Sequence, residues 1–368
     1  MEFKVKYVGL QRSYISNKKE IDEAFCRVMN DGSFILRDDV KEFEDSICKF
    51  VGAKYAVGVN SGTDALFLSC KVAGITEGDE VLTVGHTFVA TLSAIYHCGA
   101  KAVLIDITDD YNIDVSKIEE KITKNTKAII PVHLNGRACQ MDKIVEIAKR
   151  HDLIIIEDAC QSVGAKYKNK QVGTFGRFGC FSLHPMKSLN CAGDGGYIIM
   201  DNENDYKRLI SLRNHGQSSD KKIIYEYGYS SRLDNLQAAI ASIRLKDLSK
   251  NNERRRYFAN KYEESLSSLP IILPPNELND TYYDVFNSYV IRTVKRDELY
   301  KFLIENKIEV FIHISEPLSN QKSLDIDGLD LNNNRKICTE ILSLPLYPEL
   351  TEEEFNYVIV KIKEFFKE

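Results

Sequence analysis

Short apolar, β-branched runs alternate with amphipathic stretches along the first half of the chain. The predicted strands are residues 55–60, 80–84, 101–105, 128–132 and 153–157, each nearly continuous in apolar character. The predicted crossover helices between them are residues 62–73, 88–98, 115–122 and 141–150. Continuous apolar runs are typical of strands covered on both faces. The alternation therefore predicts an α/β fold with one mostly parallel sheet.

The regions flanking this pattern predict further helices and a second domain. Ser16 can cap a helix whose apolar residues Ile21, Phe25, Val28 and Met29 recur at helical spacing, so we expect this helix to dock on other structure. After a strand at 196–200, the pattern changes to long helices at 234–245 and 252–269, followed by three prolines up to position 275. The smaller elements predicted beyond the prolines are residues 287–293, 296–306, 308–312 and 352–366.

This change of pattern predicts two domains. Residues 1–249 would form a large α/β domain with N-terminal helices, and residues 250–368 a linking helix and a smaller C-terminal α+β domain. A chain of 368 residues is long enough for two such cores.

Composition and charge exclude several classes of partner. The formal net charge is −5, with no basic block or basic amphipathic helix, so we do not expect a nucleic-acid partner. No apolar run reaches 18 residues and the first residues do not resemble a leader peptide, so we expect a cytoplasmic protein with no membrane partner. The nine cysteines include no C-x-x-C pair and no histidine at zinc spacing, which predicts free thiols and no metal site.

Three short segments could carry chemistry. Ser61-Gly62-Thr63 joins a strand to a helix, where free N–H groups and a hydroxyl can bind a phosphate, although such residues also cap helices without any ligand. Asp158 follows a buried strand at the edge where open α/β sheets bind ligands, and its alternative role is a helix cap. Glu157 beside it is interpreted as structural.

The third segment contains a lysine between an apolar strand and a glycine-rich turn. Partial desolvation at Lys187 would favour the neutral amine that condenses with a carbonyl, although a surface lysine is the alternative interpretation. A phosphate-binding turn, an aspartate at a strand end and a desolvated lysine, in that order, are the three groups that a pyridoxal phosphate site requires.

The order of the motifs extends this interpretation to the whole chain. They read NSGTDAL, GDEV, HTFVAT, KAIIPVHLNG, EDACQSVGA, FSLHPMK, GDGG, RNHG, SRLDNLQAA and SLPLYPELTEEE. In this order and spacing they resemble the sugar aminotransferases of the DegT/DnrJ/EryC1/StrS family. The resemblance implies the fold-type I architecture of pyridoxal phosphate enzymes.

The resemblance also assigns roles to individual residues. Lys187 would hold pyridoxal phosphate as a Schiff base and shuttle the proton during catalysis, and Asp158 would pair with the pyridinium nitrogen. Phe88 would stack on the pyridine ring, and Gln161 would reach its 3-hydroxyl group. The residues implied to hold the cofactor phosphate are Gly62, Thr63, Ser182 and, from the partner subunit of a homodimer with shared active sites, the residue at position 230.

Some positions depart from the family pattern. Ser230 occupies the place of an asparagine that reaches the phosphate in many relatives, and its shorter side chain would make a weaker or water-mediated contact. Asn135 and Ile314 stand where relatives often have a tyrosine near the sugar pocket. Arg232 is retained and would bind the carboxylate of the amino donor, with a structural ion pair as the alternative, and His313 is a candidate substrate contact.

The resemblance implies an aminotransferase that converts a keto group of a nucleotide-linked sugar into an amine. L-Glutamate would be the donor, pyridoxamine phosphate the form of the cofactor during turnover, and the GDGG turn resembles that of relatives acting at C3. One alternative is a sugar dehydratase of the same fold, but such enzymes carry histidine in place of Lys187. The other is a catalytically silent regulatory homologue that binds pyridoxal phosphate, which the retained Lys187, Asp158 and Gln161 argue against.

Overall fold

A computed structural model describes residues 2–218, 220–276, 281–321, 324 and 331–367. The strands are β1 (Tyr55–Val59), β2 (Glu80–Val84), β3 (Lys101–Ile105), β4 (Thr126–Ile129), β5 (Ile154–Asp158), β6 (Lys166–Tyr167), β7 (Lys170–Gln171), β8 (Phe178–Ser182), β9 (Gly196–Met200), β10 (Tyr282–Tyr283), β11 (Tyr289–Arg292) and β12 (Ile341–Leu344). The α-helices are α1 (Leu10–Ser16), α2 (Lys18–Asp31), α3 (Asp38–Val51), α4 (Gly62–Val72), α5 (Ala90–Tyr96), α6 (Met141–Arg150), α7 (Glu203–Leu212), α8 (Asn235–Leu266), α9 (Arg296–Glu305), α10 (Asn332–Glu340) and α11 (Glu352–Phe365).

The main sheet has seven strands in the order β1-β9-β8-β5-β4-β2-β3. Strand β9 is antiparallel to both of its neighbours, and the other neighbouring pairs are parallel. Separate apolar cores cover the two faces of the sheet, which explains the nearly continuous apolar sequence of its strands. The predicted α/β class with a mostly parallel sheet is confirmed.

The C-terminal part of the chain surrounds a third apolar core. Antiparallel strands β11 and β12 pack there with α9, α11 and the end of α8, and Val5 from the N-terminal segment is fully buried among them. Within the described part of the chain, no helix is long and apolar enough to cross a membrane.

One prediction about the long helices is wrong. The segments 234–245 and 252–269 were expected to be separate, but they belong to the single 32-residue helix α8. No glycine or proline interrupts residues 246–251, the polar stretch between them. Leu248 in this stretch and Asn252 directly after it are buried. The Asn252 Nδ2 donates to Val163 O at 3.2 Å, so the amide of this buried polar residue ties α8 to the large domain's core. The predicted domain boundary at 249/250 lies inside this helix and stays a prediction.

Two further predictions of local structure are wrong. Residues 115–122 form two short 3₁₀ turns instead of a crossover helix, because the Asp114 side chain accepts bonds from the N–H and hydroxyl of Ser116 and closes a tight turn. Ser16 ends α1 instead of capping α2, and its hydroxyl donates to Arg12 O. On α2, Ile21 and Val28 are buried as expected, whereas Phe25 and Met29 are about half exposed.

Further differences concern the bounds of one helix and the element predicted at residues 308–312. The predicted helix 88–98 is shorter, since only Ala90–Tyr96 is helical. The segment 308–312 forms no continuous strand, and its ladder contacts are isolated bridges from Ile308 to Val5 and from Phe311 to Ser343.

Candidate active site

A cavity of about 670 Å³ opens at the carboxyl ends of the parallel strands. It brings together residues that are far apart in the sequence. The predicted site residues that line it are Gly62, Thr63, Phe88, Asp158, Gln161, Ser182, Lys187 and His313. Open α/β sheets bind ligands at this edge, so the cavity is the candidate active site.

The N-terminus of α4 forms one end of the cavity. Ser61 caps the helix by accepting from Asp64 N at 3.0 Å, and the first N–H groups, of Gly62 and Thr63, have no acceptor within the helix. A Cβ on Gly62 would lie 2.8 Å from Ser182 Cβ, so a glycine is needed for the close approach of these two segments. Free amides, the helix dipole and the Thr63 and Ser182 hydroxyls together suit an anionic ligand.

Asp158 is the buried acid of the site, with 5% of its surface exposed. Its main chain continues the sheet, because its N–H donates to Pro131 O at 2.9 Å and its carbonyl accepts from His133 N at 3.0 Å. Its Oδ2 accepts from Thr91 Oγ1 at 2.8 Å, and its Oδ1 accepts from Cys160 N at 3.2 Å. The carboxylate is therefore fixed in place with its negative charge directed at the cavity.

Gln161 lines the same cavity and is oriented by a backbone N–H. Its Oε1 accepts from Asn135 N at 2.9 Å, so its Nε2 is left as the donor. Asn135 has φ 57°, a left-handed conformation that asparagine tolerates better than most residues, and this places its N–H toward Gln161.

Lys187 lies in a tight turn after β8 and is half-buried. The turn is closed by Lys187 N donating to His184 O at 2.8 Å and by Asn190 Nδ2 donating to Lys187 O at 2.8 Å. Ser188 beside it donates through its N–H to Asn287 Oδ1 at 3.1 Å, which ties the turn to the C-terminal part of the chain. No residue that the structure describes accepts a hydrogen bond from Lys187 Nζ, so the amine is available to a ligand.

Phe88 lies at the mouth of the cavity with 67% of its surface exposed. An exposed aromatic face beside a cavity is suited to cover a flat ligand. Next to it, Thr87 Oγ1 lies 2.8 Å from Thr91 Oγ1, so the turn that carries Phe88 is linked to the donor of Asp158.

Glu157, which the sequence indicates to be structural, supports the backbone next to the site. Its carboxylate is completely buried and accepts from the N–H groups of Gly173, Phe175 and Gly176 at 2.6 to 2.7 Å. Its Oε2 is also 3.0 Å from His133 Nε2. Because His133 Nδ1 accepts from Cys139 N at 3.0 Å, Nε2 carries the proton and donates to Glu157.

The wall opposite α4 comes from both ends of the chain. His313 lies open to the cavity, and its Nε2 is 2.9 Å from the hydroxyl of Tyr7. Desolvation by the surrounding protein and, second, the charge of Lys187 lower the pKa of His313 to about 4. Tyr7 could not be predicted as a site residue, because a single side chain in an N-terminal segment carries no motif or periodicity.

Two predicted site residues are not brought to this cavity within one chain. Ser230 is exposed and accepts from Arg232 Nη2 at 2.8 Å, and Arg232 Nη1 also donates to Asn214 Oδ1 at 3.3 Å. Neither residue lines the cavity. The described residues also contain no group of three or more side chains that could hold a metal ion.

Comparisons with known proteins find similarity to one aminotransferase family along almost the whole chain. The model of the DegT/DnrJ/EryC1/StrS aminotransferase family matches residues 16–363. The chain is 41% identical over 371 residues to a "pleiotropic regulatory protein" of Geobacillus stearothermophilus, with 99% of each chain covered. It is 38% identical over 363 residues to a dTDP-3-amino-3,6-dideoxy-α-D-galactopyranose transaminase of Aneurinibacillus thermoaerophilus, covering 98% of this chain and 99% of the relative.

A solved structure has the same fold throughout. The crystal structure of S. venezuelae DesV in complex with a ketimine intermediate superimposes with a TM-score of 0.95 at 34% sequence identity, and the match covers 100% of both chains.

The Glu157 network generates a stability prediction. In the wild-type protein, the buried donors around Glu157 meet carboxylate oxygens. In Glu157→Gln, some of them instead face an NH₂ group, which cannot accept, so the free energy of unfolding should fall by about 1.5–3 kcal/mol. Hydrogen exchange at the amides of Gly173, Phe175 and Gly176 should accelerate. Urea denaturation and exchange measured by mass spectrometry test this. The control is Glu119→Gln, which alters a surface contact with His151; equal effects of the two substitutions would contradict the assigned role.

Proposed function

The chain belongs to the DegT/DnrJ/EryC1/StrS aminotransferase family, and we propose that it converts the 3-keto group of a nucleotide-linked deoxysugar into an amine, with L-glutamate as donor. The observation that carries the proposal is that Lys187, Asp158 and the N-terminus of α4 meet in one cavity. The C3 position is supported by the relative that forms a 3-amino-3,6-dideoxy sugar and by the GDGG turn.

The family's cofactor is pyridoxal phosphate, and the residues of the cavity fit this group. The N-terminus of α4, with the Thr63 and Ser182 hydroxyls, suits the phosphate, and the packing of Gly62 against Ser182 leaves this end lined by N–H and hydroxyl groups. Asp158 suits the ring nitrogen, the Gln161 Nε2 suits the ring oxygen, and Phe88 suits a ring face.

Bound pyridoxal phosphate supplies the electron sink that stabilises a carbanion next to nitrogen. We assign to Asp158 the role of holding a proton on the ring nitrogen, because its carboxylate is buried and already oriented by Thr91 and Cys160. Lys187 Nζ holds the cofactor in the resting enzyme and moves the proton at the donor's α-carbon during turnover. Because Lys187 lies in a closed turn, its amine stays within the cavity when it is no longer bonded to the cofactor.

We assign the sugar end of the cavity to its C-terminal wall. His313, Ile314 and Asn135 line the cavity. Of these, Ile314 and Asn135 stand where relatives often have tyrosines. The smaller side chains leave additional space for the substrate. A nucleotide-linked sugar is a large ligand, and the volume of about 670 Å³ lies in the range of small-molecule sites.

The contacts of Ser230 and Arg232 support a homodimer with shared active sites. Both residues lie outside their own chain's cavity, and the neighbouring segment exposes Ile223, Ile224 and Tyr227. Exposed apolar groups in one segment favour an interface with another chain. In the proposed dimer, Ser230 reaches the partner's phosphate site and Arg232 binds the donor carboxylate there.

The cytoplasm is the proposed location. All nine cysteines are free, and most of them are buried in the apolar cores. Free thiols are typical of the reducing interior of the cell.

The relative named as a regulatory protein keeps one alternative open to test: a homologue that binds the cofactor without turnover. The dehydratase alternative is disfavoured because Lys187 is present. The half-reaction with L-glutamate separates catalysis from cofactor binding without turnover.

The half-reaction with L-glutamate tests the proposed function without knowledge of the sugar. We expect the wild-type protein, loaded with pyridoxal phosphate, to release about one equivalent of 2-oxoglutarate per bound cofactor, with a matching change in the absorption spectrum. Asp158→Asn should slow this step at least about a hundredfold, because the neutral amide cannot hold the ring proton by charge. Asp142→Asn, at an exposed ion pair with Lys168, is the control. Cofactor binding without release of 2-oxoglutarate would contradict the proposal.

Mixed dimers test the sharing of active sites. Lys187→Ala and Arg232→Ala should each be inactive alone. If Arg232 acts in the partner's site, random mixing restores one intact site in half of the dimers, so about a quarter of the wild-type activity should return. The measurement is activity after subunit exchange, which is verified by differently tagged subunits. No recovery after complete exchange would show that Arg232 serves its own chain.

A further inference from the structure

The N-terminal segment is bound to the C-terminal part of the chain and carries Tyr7 to the active-site cavity. The N–H of Lys4 donates to Lys307 O at 2.8 Å, and Glu309 N donates to Val5 O at 2.9 Å. The Tyr7 N–H then donates to Glu309 Oε2 at 2.9 Å. These bonds fix the backbone that leads into Tyr7, and the residue is only 4% exposed.

The Tyr7 ring and hydroxyl are held by several contacts. The ring packs edge-to-face on Phe311 with centroids 4.8 Å apart, and Phe311 in turn stacks on His313 at 5.6 Å with an interplanar angle of 13°. The hydroxyl donates to Ser288 Oγ at 3.3 Å and lies 2.9 Å from His313 Nε2.

These contacts point to the nitrogen of His313 that carries the proton. The geometry of the Ser288 contact fits donation by the Tyr7 hydroxyl, and in that arrangement the phenol oxygen accepts from the histidine. His313 Nε2 must then carry the proton, and Nδ1 of the neutral ring becomes an acceptor. No described residue forms a hydrogen bond with Nδ1, and the ring is open to the cavity.

We propose that Tyr7 is a positioning residue that holds His313 in its Nε2–H form and so presents Nδ1 to a hydroxyl or amide N–H of the substrate sugar. This inference rests on the proposed function for the identity of the ligand. It deepens that function by assigning the donor and acceptor roles in the sugar site: the protein accepts and the sugar donates. A sugar with no donor at that position would leave Nδ1 unpaired and bind more weakly.

The resting protein tests the tautomer without any substrate. With ¹⁵N-labelled histidine in the cofactor-loaded wild-type protein at neutral pH, we expect the His313 signals to show a protonated Nε2 and an unprotonated Nδ1. In Tyr7→Phe, the acceptor for Nε2–H is lost, so the His313 signals should move toward a mixture of tautomers. A protonated Nδ1 in the wild-type protein would overturn the proposal, whatever the variants do.

Kinetics provide the second measurement. With dTDP-3-amino-3,6-dideoxy-α-D-galactopyranose and 2-oxoglutarate as substrates of the reverse reaction, Tyr7→Phe should raise the KM for the sugar about threefold to tenfold, as expected for one lost hydrogen bond. We expect kcat and the affinity for pyridoxal phosphate to change less than about twofold. An unchanged KM in a variant whose sugar is turned over would also overturn the proposal.

Tyr262→Phe is the matched control. Tyr262 is fully buried in the C-terminal apolar core that also contains Val5, and its hydroxyl donates to Pro345 O at 2.9 Å, but it does not line the cavity. It should reduce stability through a lost hydrogen bond while the His313 signals and the KM stay at wild-type values. If both variants alter the signals and the KM equally, Tyr7 acts only through stability. If neither protein turns over this sugar while the glutamate half-reaction proceeds, the choice of sugar is wrong and the tautomer measurement still decides the role of Tyr7.

Discussion

The hydrogen bonds that end strand β5 determine where the groups of the candidate active site lie. Successive side chains of a strand point to opposite faces, so Glu157 and Asp158 perform different tasks from adjacent positions. Glu157 binds the backbone of the turn at 173–176 and His133 on one side. Asp158 faces the cavity on the other side, held by Thr91. A buried carboxylate is stable only when its hydrogen bonds are satisfied, and here both carboxylates meet that condition.

The other parts of the site are organised around this edge of the sheet. The turn that carries Lys187 follows β8, which pairs with β5, and α4 follows β1, which runs parallel to β8 on the far side of β9. The topology therefore brings an anion-binding helix end and an amine to the same edge of the sheet as Asp158. The opposite wall depends on long-range packing, because Tyr7 and His313 are joined by contacts across 306 positions of the chain. The cavity thus combines a wall set by sheet topology with a wall set by tertiary contacts.

This difference explains how much the sequence could predict. Strands β2, β3 and β9 and helix α6 begin and end as predicted, because each is a strongly patterned segment bounded by polar or turn residues. Asp158 and Lys187 could be proposed from the residues that precede and follow them. Tyr7 could not, since its role depends on a partner near the other end of the chain. The continuity of α8 could not be predicted, because a buried asparagine whose amide bonds to a distant backbone carbonyl looks like a surface residue in the sequence.

We propose that Lys187 holds the cofactor in the cavity that Asp158 also lines. Reduction of the cofactor-loaded protein with sodium borohydride, followed by peptide mass mapping, tests it most directly. We expect a pyridoxyl group on Lys187 and on no other lysine. A pyridoxyl group on a different lysine, with Lys187 unmodified, would contradict it.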